Sequence, residues 1–329
     1  MGGSVPGGTE APGEPDWRRM VAHLLAVLNH AVQSTFAVDT TMRAAMASPM
    51  AGDSPSGIPI DSLNSYFQTL LGQVTLRLCE GSGGEVTVSF TDSNGDGVLS
   101  VGDIVTITFE RCADSEGNVR NGSLIVTLDG MPKGGTGLDA LDGLDAAVQM
   151  DFDFTSPEGK DAQISGEVRM INGMNDPAAV GADIWIVRTG MMAPIGLRQM
   201  PAGERSDVSI SLGLTVDTRN TEDPADDEVR IAGETSSQMA TASFSGIGGA
   251  ESGVRYEFLS QQPVIFRADR MGPSSGALRL QRGGGGWCVD LSVLEGGDPQ
   301  NPSLQMRYDV ECDGTPEQES MSTYVVIRF

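Results

Sequence analysis

From Gln73 to the C-terminus, apolar residues fall at every second position, and this spacing constrains the fold more than any other feature. In "GEVTVSF" they are Val86, Val88 and Phe90, in "DIVTITF" Val105, Ile107 and Phe109, and in "GSLIVTL" Leu124, Val126 and Leu128, with mostly Glu, Ser or Thr between. Successive side chains of a strand point to opposite faces, so each segment has one dry face and one wet face. Parallel sheets covered on both sides read instead as continuous Val/Ile/Leu runs, so the pattern predicts an antiparallel sheet with a single buried surface. Further strands are predicted at "AAVQMDFDFT", "DAQISGEVRMI", "DIWIVRT", "DVSISLGLTV", "EVRIAGETSSQMATASF", "VRYEFLS", "GALRLQR", "WCVDLSVL", "SLQMRYDV" and "MSTYVVIRF", thirteen in all.

The dry face needs a cover, and residues 16–47 offer one. Trp17, Met20, Val21, Leu24, Leu28, Ala31 and Val32 lie on one face of a 3.6-residue period, with Asp16 as N-cap and a break near Val38. "DSLNSYFQTLLG" predicts a second, short helix. The expected fold is mainly β: a large, curved antiparallel sheet, half-barrel-like, with the N-terminal amphipathic helix packed on its buried face. The expected organisation is a flexible Gly/Pro/Ser tether over 1–15, a helical segment over 16–72 and a β domain over 73–329. The stretch "GMMAPIGLRQMPAGE" near 190–205 reads either as a subdivision or as a long loop, and the strand around 227–245 bends at Gly233.

The 329 residues carry 45 acidic and 21 basic side chains, a formal charge of −24, which repels nucleic acid and attracts divalent cations. No run approaches the roughly 20 apolar residues of a membrane-spanning helix, so membrane association is expected to be peripheral, through an N-terminal anchor at most. Cys79, Cys112, Cys288 and Cys312 lack the C-x-x-C spacing of zinc or redox sites. Three disulfide connectivities are open; pairing Cys79 with Cys112 and Cys288 with Cys312 would join strands that are candidate neighbours, in an oxidising compartment.

"DSNGDGVLSVGD" between two predicted strands carries Asp92, Asn94, Asp96, Val98, Ser100 and Asp103 at positions 1, 3, 5, 7, 9 and 12 of a calcium loop, with Gly97 at position 6. Calcium takes six to eight oxygens, so the chain must curl tightly, and Val98 can contribute only its carbonyl. Asp103 stands where Glu is usual, so its shorter side chain must approach more closely. Flanking strands make a helix-loop-helix switch unexpected; the alternative is a hairpin turn rich in Asp and Asn. "DVECDGT" places Asp309, Glu311, Asp313 and Gly314 at positions 1, 3, 5 and 6, but Pro316 and Ser320 do not continue the pattern.

Other motifs carry less. "GPSSG" fits a nucleophile elbow at Ser274, yet no histidine follows it; His23 and His30, seven apart, read as ordinary helix-surface residues. "RGGGGWC" lacks the Lys-Ser/Thr of a phosphate loop. The acidic "DTRNTEDPADDE" reads as a solvated loop, and the methionines as core packing. "MSTYVVIRF" resembles the last strand of an outer-membrane barrel, but aromatics make up only 5% of the chain, too few for interfacial girdles.

The block "VTVSFTDSNGDGVLSVGDIVTITFERC" followed by "NGSLIVTL", with the later "PSSGALRL", "VDLSVL" and "DVECDG", resembles a group of proteobacterial secreted proteins and lipoproteins with no assigned activity. That resemblance implies a Gram-negative envelope location, periplasmic or outer-membrane-anchored and surface-facing, and a Cys79–Cys112 disulfide. The reading that follows is a non-enzymatic envelope protein with a calcium-braced hairpin, whose helix and sheet enclose a hydrophobic or lipid-like ligand. The alternatives are a structural or adhesive module that binds another envelope protein or matrix, and a carboxylate-based hydrolase.

Overall fold

The computed structural model describes residues 17–48, 57–78, 84–113, 119–132, 141–155, 161–175, 182–189, 195–199, 205–217, 228–231, 240–245, 255–267, 273–283, 285–294 and 303–323. The expected tether and Cys79 lie outside them. Helix α1 spans Trp17–Met46 without a break, and Val38 is buried in its middle. Of its 30 residues 22 are buried, far more than one stripe, as expected of a helix covered over most of its circumference. By length and composition α1 could cross a membrane, contrary to the expectation from uninterrupted apolar runs; here that stretch is largely buried in the fold.

A helix enclosed this fully must place its polar residues inside. Thr35 donates back to the Ala31 carbonyl at 2.8 Å, and the Asp39 carboxylate accepts from the Trp185 indole at 3.1 Å and from Arg43 at 2.7 Å. His23 and His30 are not surface residues, for both are buried. His30 meets Phe152 and Phe154 edge-on, with ring centroids 5.0 and 5.2 Å away. The face left partly exposed is narrow, marked by Arg18, Ala22, Gln33, Thr40 and Ala44, and both histidines lie among the buried residues.

Helix α2, Ile60–Leu78, runs past the predicted end at 72, so the change of period comes at Glu85 rather than Gln73. The strands are β1 Glu85–Thr91, β2 Ile104–Ala113, β3 Val119–Gly130, β4 Asp145–Thr155, β5 Asp161–Asn175, β6 Ala182–Thr189, β7 Ile195–Gln199, β8 Arg205–Asp217, β9 Glu228–Ile231, β10 Ala240–Ser245, β11 Arg255–Arg267, β12 Pro273–Arg282, β13 Cys288–Val293, β14 Ser303–Asp309 and β15 Gln318–Thr323. All pairings are antiparallel in one sheet, ordered β1-β2-β3-β4-β5-β6-β8-β10-β11-β12-β13-β14-β15. Strand β7 pairs with β5 and β8, the same two neighbours as β6, so the chain on either side of 190–194 occupies one slot in the sheet. At that interruption the Thr189 hydroxyl substitutes for the ladder, accepting from Ile210 N at 2.9 Å and donating to Ile210 O. The single bent strand predicted over 227–245 is two strands, β9 and β10, both set between β8 and β11.

The alternation does what its period predicts: Val86, Val88, Phe90, Val105, Ile107 and Phe109 all face inward and are buried. The sheet curves around α1, which touches strands far apart in the order. Trp17 stacks on Tyr308 of β14 at 5.4 Å, His30 packs on β4, and Asp39 bonds Trp185 of β6. Helix and sheet share one continuous apolar core. The Cys288–Cys312 disulfide forms as predicted. Cys112 is buried and also disulfide-bonded.

Candidate metal site

Residues 92–103 join β1 to β2, and the paired strands fix where the two ends of the loop meet. Gly95 and Gly97 have φ of 78° and 79°, a left-handed backbone that any side chain would strain, with open space around both. The resulting curl turns carboxylates inward, where backbone amides orient them. Asp92 accepts from Gly95 N and Gly97 N at 2.6 Å each, Asn94 Oδ1 from Asp96 N at 2.9 Å, and Asp96 Oδ1 from Val98 N at 2.9 Å. Asp103 closes the loop by accepting from Ser93 N at 2.9 Å and Ser100 N at 2.8 Å, and it is fully buried.

Asp92, Asp96 and Asp103 form the one group of three acidic, His or Cys residues among the described residues whose ligand atoms all lie within 4.8 Å of one another. Three like charges at that distance repel, and a divalent cation between them reverses the sign of the interaction. Ser100 Oγ sits 3.2 Å from both Asp96 Oδ2 and Asp103 Oδ2, and 2.8 Å from Asn94 Nδ2. All five predicted side-chain donors therefore belong to one loop, and the hard, oxygen-only set fits calcium. The sixth donor, the Val98 carbonyl, lies on a segment tied to the start of α2. Leu99 N donates to Ile58 O at 2.8 Å and Ile60 N to Gly97 O at 3.1 Å, around a Pro59–Val98 bridge, while Leu99 anchors the loop in the core. Burial raises the Asp92 pKa, but the Gly97, Gly95, Asp96 and Asn94 amides outweigh it and hold the carboxyl below the usual range.

The β14–β15 turn repeats part of this scheme. Asp309 accepts from Gly314 N at 2.6 Å and Glu311 N at 3.1 Å, and Asp313 from Thr315 N at 2.8 Å. Glu317 accepts from Val310 N at 2.8 Å, the closing role that Asp103 has for Ser93. The sequence pattern does not single out Glu317, because it stands at position 9 rather than 12; only the fold shows it closing the turn. Asp309 is likewise held below the usual carboxylate range, burial being outweighed by the Gly314, Asp313, Cys312 and Glu311 amides. Ser274, the elbow candidate, donates to the Ile265 carbonyl at 3.0 Å and serves the β11–β12 pairing.

No protein-family model, no curated protein and no solved structure matches this chain.

Proposed function

We propose that this chain is a non-enzymatic module of the bacterial cell envelope whose β1–β2 hairpin is braced by calcium. The observation that carries the reading is the convergence of Asp92, Asp96 and Asp103 within 4.8 Å, in a loop that also presents Asn94, Ser100 and the Val98 carbonyl. The brace is static: strands flank the loop, so no pair of helices is available to open. The Cys288–Cys312 disulfide supports an oxidising compartment outside the cytoplasm. A hydrophobic or lipid-like ligand between helix and sheet would have to take space that α1 fills, so the ligand-carrier reading stands second.

The expected affinity is that of extracellular calcium modules, a Kd of roughly 10⁻⁴ to 10⁻³ M. At ten times Kd, linkage adds about 1.4 kcal/mol, which for a chain of this size raises Tm by about 2–3 °C. Calorimetry should show calcium heat that Asp96→Ala removes, and melting in EDTA should fall below melting in 10 mM calcium. Identical curves in EDTA and calcium, with no heat of binding, would remove the site.

A further inference from the structure

The sequence contains three Asn-Gly pairs, Asn94–Gly95, Asn121–Gly122 and Asn172–Gly173, and the fold treats them differently. Asn121–Gly122 lies inside β3, where Gly122 is paired on both sides, with Phe109 of β2 and Phe152 of β4. Asn172 is buried, and its backbone exchanges hydrogen bonds with Leu144 and Gly143. Asn94–Gly95 alone sits on an exposed loop, where Gly95 already has the left-handed φ of 78°. We propose that Asn94–Gly95 is a self-modification site, at which the Gly95 amide nitrogen displaces ammonia from the Asn94 side chain to give a succinimide that water opens to aspartate or isoaspartate.

The reacting groups already have their partners. The nucleophile, Gly95 N–H, donates to the Asp92 carboxylate at 2.6 Å, which can draw off its proton as the nitrogen attacks. The electrophile is Asn94 Cγ, whose Oδ1 accepts from Asp96 N–H at 2.9 Å; that donor stabilises the negative charge developing on the oxygen. The leaving nitrogen, Nδ2, is hydrogen-bonded to Ser100 Oγ at 2.8 Å. Ser100 in turn donates toward the Asp96 and Asp103 carboxylates, and because the loop is exposed, solvent carries the proton taken up at Asp92 to the departing nitrogen. The bond Gly95 N–Cγ forms and Cγ–Nδ2 breaks, with the amide proton leaving on ammonia. Water then adds to either ring carbonyl, so the net change is amide plus water to carboxylate plus ammonium. Opening to aspartate adds a fourth carboxylate beside Asp92, Asp96 and Asp103; opening to isoaspartate reroutes the main chain through the side chain and breaks the loop register.

The test is peptide mass spectrometry on the full chain held at pH 8 and 37 °C in EDTA, folded and in urea. The proposal expects a gain of about 1 Da at Asn94 at least tenfold faster in the folded protein than in urea, a modest share of what positioned acid–base groups supply. Asn121 and Asn172 should show the reverse order. Asp92→Ala should bring the folded rate at Asn94 down to the urea rate, and Asn94→Gln should abolish the change. An Asn94 rate no faster folded than unfolded overturns the proposal whatever the variants do. The EDTA arm makes the result independent of calcium binding.

Discussion

At the scale of single residues, buried polar groups set the acid behaviour of this protein. Burial, followed by the charge of Arg120, lowers the His30 pKa to about 3. Arg120 itself lies over the Phe109 ring at 4.1 Å, so the imidazole and the guanidinium share one aromatic wall. Above pH 6.5 His30 is neutral whether folded or unfolded and contributes no pH dependence. Between pH 6.5 and about 3 the unfolded chain takes a proton that the native state refuses, so stability falls as pH falls, by about 1.4 kcal/mol per unit. Asp92 and Asp309, held below their usual range, act in the same direction at the acid end of that window. Urea denaturation at pH 7 and pH 4 should therefore show a loss on the order of 3 kcal/mol that His30→Leu largely removes. An equal loss in the variant would assign the acid limb to the carboxylates instead. None of this is legible from sequence, since "AHLLAVLNHAV" reads as a helix with two wet histidines until a sheet covers that side.

At the scale of elements, the ends of the sheet are secured by different devices. Strand β1 is capped by α2, where the Asn64 side chain imitates a strand peptide by donating to Phe90 O at 2.9 Å and accepting from Phe90 N at 2.7 Å. The β13–β14–β15 end is stapled by Cys288–Cys312, which closes a loop of 24 residues. The chain-entropy model gives that closure about 3 to 4 kcal/mol. A Cys288→Ser, Cys312→Ser double variant should lose roughly that much stability in urea at unchanged pH; a loss below about 1 kcal/mol would mean that the hairpins hold this end unaided. Strand identity is readable almost everywhere because burial on one face leaves a period of two. Continuity and length are not: the five residues of β7 show too little alternation to stand out, and 227–245 reads as one strand because the two strands that fill one slot share their neighbours.

At the scale of the whole molecule, a helix enclosed by a sheet must hold together under a net charge of −24. Self-repulsion at low ionic strength opposes compactness, and salt weakens it as the Debye length falls from about 30 Å at 0.01 M to about 8 Å at 0.15 M. In EDTA, which removes any contribution from divalent ions, Tm should rise as sodium chloride is added over that range; a flat or falling Tm would mean that the acidic groups lie too far apart to matter. By itself the sequence determined the antiparallel sheet, the covering helix and the oxygen-rich loop, because each is written in short-range spacing: two for a strand, 3.6 for a helix, positions 1, 3, 5, 7, 9 and 12 for a curled loop; among three open connectivities, Cys288–Cys312 was chosen by the fold. Tertiary structure alone decided that α1 is buried over most of its surface, that His30 sits beside Arg120, that Glu317 closes the second acidic turn and that Asn94–Gly95 is the exposed Asn-Gly pair. Those are statements about which residues distant in the chain come to lie together, and no local period encodes them.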